Sequence, residues 1–108
     1  MKEYSNSSGK ILHCTYSLTD LEGDRFDFTS EDQYLQGALM RMNSGKSFRN
    51  HKHIKCERHT DMTQETWVIM RGSVQVDYYD EDSKLMGTEI LNKGDCTITF
   101  AGGHKYSC

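Results

Sequence analysis

The sequence predicts an all-β chain, and three observations carry that prediction. Strand-length segments recur along the 108 residues, separated by clusters of Gly, Asn, Asp and Ser. In residues 74–79, Val74, Val76 and Tyr78 alternate with Gln75, Asp77 and Tyr79, which is the period of a half-buried strand. Helical signals are nearly absent: only 30–35 suggests a single helical turn, with Ser30 as its cap.

In chain order, 11–16 and 25–28 are weak strand candidates, and 37–42 and 47–53 are stronger ones. The clearest pair is 66–70 with 74–79, joined at Arg71-Gly72. Asp80-Glu81-Asp82-Ser83-Lys84 forms a polar hairpin tip, and 88–91 follows it. Asn92-Lys93-Gly94-Asp95 then turns the chain into 96–100. Many short strands with regular turn signals indicate a sandwich or barrel. An apolar content of 35% suits one small, thin-walled domain over 1–108 rather than a multilayered α/β fold. Met40, Met42 and Met70 are expected to fill its core.

Charge narrows the function classes. The net charge is −3 and there is no long basic stripe, which argues against nucleic-acid binding through phosphate neutralisation. Residues 20–32 are acidic and 46–59 are basic and His-rich; both are expected to be solvated loops. No apolar run reaches membrane-spanning length, so no membrane partner is expected. The first ten residues lack the core of an export signal. With Cys14, Cys56, Cys96 and Cys108 scattered, the expectation is reduced thiols in the cytoplasm.

The strongest chemical signal is His51-Lys52-His53. On a strand, side chains at i and i+2 share a face, so two imidazoles there can bind one ion. Gly45 lies six residues before His51, and Glu65 lies seven residues before Gly72, with Trp67-Val68-Ile69-Met70 between them. A second cluster has Gly94-Asp95 followed by Gly102-Gly103-His104. A rival set, His51, His53, Cys56 and His59, is compatible with a closed zinc loop.

The spacing over 45–72 resembles the first motif of the cupin superfamily, G-x5-H-x-H-x3,4-E-x6-G, and 94–108 resembles the second, G-x5-P-x-G-x2-H-x3-N. The resemblance covers more than half the chain, leaving 1–44 for N-terminal strands and loops. It departs from the pattern in three places. Eleven residues separate His53 from Glu65, while Glu57 sits at the family spacing and is the alternative carboxylate. Phe100 replaces the proline, with the run to His104 one residue short. Cys108 stands at the asparagine position.

The resemblance implies a cupin-type double-sheet jelly-roll barrel lacking its last strand within the chain. It also implies one divalent metal, Fe, Mn, Ni or Zn, held by His51, His53, Glu65 and His104. Open metal positions suit an enzyme, such as an oxygenase or isomerase, acting on a small polar carbohydrate or organic-acid derivative. The catalytic candidates are Arg49, which by alternation accompanies His51 and His53 and can pair with an anionic substrate, and Tyr78 as an acid. The alternatives are a non-catalytic small-molecule binding or sensing module and a structural homodimerisation barrel.

Overall fold

A computed structural model describes residues 1–108. The chain is all-β, and its nine strands form three antiparallel sheets. It divides into two compact units, one built from residues 1–20 and 62–108 and the other from 21–61.

The larger unit holds a four-stranded and a three-stranded sheet. The first is ordered β1 (Lys2–Ser5), β2 (Ile11–Tyr16), β8 (Cys96–Thr99), β5 (Glu65–Val68). The second is ordered β7 (Leu85–Asn92), β6 (Ser73–Tyr79), β9 (Gly103–Ser107). From β5 onward the chain crosses between sheets: β5 in the first, β6 and β7 as a hairpin in the second, β8 back beside β5, and β9 beside β6.

Strand alternation sorts the side chains of the four-stranded sheet. Register aligns Tyr4, His13, Thr99 and Glu65 in one row, and Lys2, Thr15, Thr97 and Trp67 in the next. Both rows face the three-stranded sheet: the Tyr78 ring lies 4.9 Å from Tyr4 and 4.8 Å from His13, and Trp67 stacks on Tyr106 at 4.1 Å. Leu12, Cys14, Tyr16 and Ile98, at alternate positions on the other face, are buried as well. The apolar core between the sheets gathers Ile69, Val76, Tyr78 and Leu91, flanked by Tyr4, Val74, Met86 and Tyr106. Each such aliphatic burial stabilises by about 1.5–3 kcal/mol. Gly87 lies against the Tyr4 ring, where a Cβ would come within 2.4 Å and displace that ring.

The expected turns form as read. Asp80 accepts hydrogen bonds from the Asp82 and Lys84 amides at the hairpin tip, and the Asp95 amide donates to the Asn92 carbonyl. The short helical turn falls at Leu18–Asp20, not at 30–35, where the Gln33 amide closes an isolated turn on the Ser30 carbonyl. Strand β1 was not expected; its four residues are mostly exposed and pair only with β2. Met40, Met42 and Met70 are surface residues rather than core filler. For Met70 parity is the reason, since Ile69 takes the inward position.

In the smaller unit, β3 (Arg25–Asp27) pairs with β4 (Ala38–Met40), and Leu39 and Thr29 are its buried residues. The acidic and basic segments meet: the Arg58 guanidinium donates to the Glu31 and Gln33 carbonyls at 3.1 and 3.2 Å. Residues 47–53 form no strand and are exposed throughout. They hold few residues that favour a pleated surface, and no neighbouring strand takes up their backbone groups. The sheets do not close into a barrel, each ending on open edge strands. No helix is long and apolar enough to cross a membrane.

Candidate metal centre

Two of the four expected ligands meet. Glu65 opens β5 in one sheet, and His104 is the second residue of β9 in the other. His104 Nε2 lies 3.2 Å from Glu65 Oε2, with the histidine side chain 19% and the carboxylate 48% exposed, so the pair is open to solutes. The position follows from register: Glu65 lies opposite Thr99, His104 lies opposite Tyr78, and the two rows face each other.

Each member of the pair is held from behind. The Trp67 indole donates to Glu65 Oε1 at 2.6 Å, and stacking on Tyr106 orients that indole. The Tyr106 ring also lies 4.9 Å from the His104 ring. His104 Nδ1 lies 3.0 Å from Thr99 Oγ1, which is 3.0 Å from Nδ1 of the fully buried His13. His13 Nε2 in turn donates to the Tyr79 carbonyl at 2.8 Å. Burial lowers the pKa of His13 from the ordinary histidine range, the hydrogen bond to the Tyr79 carbonyl acting against it.

His51 and His53 belong to the smaller unit, on exposed coil, with ring centroids 5.9 Å apart. His51 Nδ1 donates to the Arg49 carbonyl at 3.2 Å, which leaves its Nε2 as the lone-pair nitrogen. His53 lines a cleft of about 710 Å³ with Arg25, Asp27, Gln36 and Arg58. Arg49, Cys56, Glu57 and His59 all lie on the same exposed coil, and the Cys56 thiol contacts the Glu57 carbonyl at 3.7 Å. Without a strand, the alternation that placed Arg49, His51 and His53 on one face does not apply. No three His, Cys, Asp or Glu side chains gather in a metal-holding group.

Tyr78 is fully buried between the sheets, and burial raises its pKa. Its hydroxyl contacts Thr15 Oγ1 at 2.8 Å and Thr97 Oγ1 at 2.6 Å. Thr97 gives its own proton to the Cys14 carbonyl, so Tyr78 donates to Thr97 and accepts from Thr15. The Tyr78 hydroxyl proton is thus directed at Thr97, within the sheets.

His13, Thr97 and Thr99 carry this geometry and were not among the candidates from sequence. Their signal was there: His13 and Thr15 alternate with Leu12, Cys14 and Tyr16, and Thr97 and Thr99 stand at i and i+2. A histidine within an otherwise apolar strand marks a polar row on one face. No protein-family model, curated protein or solved structure matches the chain.

Proposed function

We propose that the chain is a cupin-type metal-binding protein in which Glu65 and His104 ligate one divalent ion of the Fe, Mn, Ni or Zn class. The observation that carries this is the 3.2 Å approach of an imidazole nitrogen to a carboxylate oxygen across two sheets, with the far side of each group already held. One nitrogen and one oxygen donor suit borderline divalent ions. His51 and His53, which the motif resemblance also implies as ligands, lie in the smaller unit. The path of the chain between two sheets supports the double-sheet reading, with β5 beside β8 in one sheet and β6 between β7 and β9 in the other.

An ion held this way keeps positions open for oxygen atoms of a small polar molecule, a carbohydrate or organic-acid derivative. Polarising such a ligand suits an enzyme. The non-catalytic binding module is favoured by one specific observation: the Tyr78 hydroxyl is committed to Thr15 and Thr97. The edge strands β1, β5, β7 and β9 also suit pairing with a second copy.

Metal analysis after reconstitution with Zn(II), Mn(II) or Fe(II) tests the reading. The expected result is near-stoichiometric metal in the parent and loss of uptake in Glu65→Gln and His104→Ala. Only trace metal in the parent, or full uptake in both variants, refutes it.

A further inference from the structure

We propose that His13 and Thr99 are positioning residues that fix the ring of His104, so that its Nδ1 carries a hydrogen and its Nε2 is presented to Glu65. The purpose of this arrangement rests on the metal reading above; its geometry does not. The direction of every hydrogen bond follows from one end of the chain of contacts. The Tyr79 carbonyl can only accept, so His13 Nε2 carries a hydrogen. A buried, neutral His13 ring then offers Nδ1 only as an acceptor. Thr99 satisfies that nitrogen with its single hydroxyl proton at 3.0 Å. What Thr99 turns toward His104 is therefore a lone pair, and His104 Nδ1 must donate to it.

Counting hydrogens gives the consequence. Four contacts run from the Tyr79 carbonyl to the Glu65 carboxylate. Four hydrogens are needed to close them. A neutral His13, the Thr99 hydroxyl and a neutral His104 supply only three, and all three are used before the His104–Glu65 contact. That last contact is therefore left as a lone pair of His104 Nε2 beside the carboxylate, an arrangement suited to a cation. An outer partner that fixes the tautomer of a ligating histidine is a recurrent feature of metal sites.

A separate feature indicates that the anchoring end is built for this. Gly102, two residues before His104, has φ +81, and a Cβ there would lie 2.4 Å from the Tyr79 carbonyl oxygen and 3.1 Å from His13 Nε2. Only glycine leaves room for the first hydrogen bond of the series. The His13 ring also packs 4.8 Å from the Tyr78 ring, itself fixed by two threonines.

The experiment is side-chain nitrogen–proton NMR on the full chain with labelled histidine, using parent, Thr99→Val, Thr99→Ser and, for assignment, His104→Ala. Expected in the parent are His13 as the Nε2–H tautomer and a slowly exchanging Nδ1–H on His104. Thr99→Val loses the second signal and Thr99→Ser keeps it, with the backbone spectrum unchanged in both. Zn(II) affinity falls by about 10–100-fold in Thr99→Val and is restored in Thr99→Ser. His13 found as the Nδ1–H tautomer overturns the proposal. So does a His104 ring proton that survives Thr99→Val. The ring signals decide without metal, so a parent chain that shows them but takes up no Zn(II) overturns the metal reading and supports the positioning one.

Discussion

Tyr78→Phe separates a structural hydroxyl from a chemical one. The substitution keeps the ring, so the contacts with Tyr4 and His13 and the core around Val76 and Leu91 persist without a cavity. What disappears is one oxygen, which donates to Thr97 at 2.6 Å and accepts from Thr15 at 2.8 Å. Thr97 keeps its bond to the Cys14 carbonyl, so its proton stays satisfied and only a lone pair is stranded. Thr15 is half-buried and loses its acceptor. Two neutral hydrogen bonds at about 1 kcal/mol each, one of whose partners can rotate toward water, give a net cost of about 1–2 kcal/mol. In a domain of this size that lowers Tm by about 5–10 °C. Thermal melting and urea titration measure it, the urea midpoint falling with an unchanged slope. Zn(II) uptake should stay at the parent level. An unchanged Tm refutes the reasoning about burial. Unchanged stability together with a tenfold or greater loss of metal or ligand binding refutes the structural assignment and restores Tyr78 as a working group.

Two further outcomes follow from the same interior. The pKa of His13 is lowered on folding, so its stabilisation is present above the ordinary value of 6.5 and is lost as pH falls below it, because the unfolded chain takes up a proton that the buried ring refuses. Urea midpoints measured across that range should drop more steeply for the parent than for His13→Gln; parallel curves contradict the assignment. Burial pushes the Cys14 thiol up to about 11 and also raises Cys96, whereas Cys56 and Cys108 are exposed. Thiol titration of the native chain near neutral pH should label Cys56 and Cys108 first and Cys14 only on unfolding, and early labelling of Cys14 contradicts its burial.

The all-β class was legible because its signals are local. Alternation in 74–79 and the Asp- and Gly-bearing turns depend on neighbours within a few residues, and the β6–β7 hairpin follows from them. Spacing to Gly72 and Gly94 also singled out Glu65 and His104, whose side chains approach to 3.2 Å. Spacing could not establish that 47–53 would form a strand, because a strand exists only where a partner takes its backbone hydrogen bonds, and none does. It could not supply His13 or Thr99, which lie 91 and 5 residues from His104 and meet it only because β2 pairs with β8 and both face β9. The sequence alone determined the strand-forming character of the chain and the carboxylate and imidazole at positions 65 and 104. The tertiary structure decided that these two groups meet, how each is oriented and that the Tyr78 hydroxyl lies against Thr15 and Thr97, since those depend on register between strands distant in sequence.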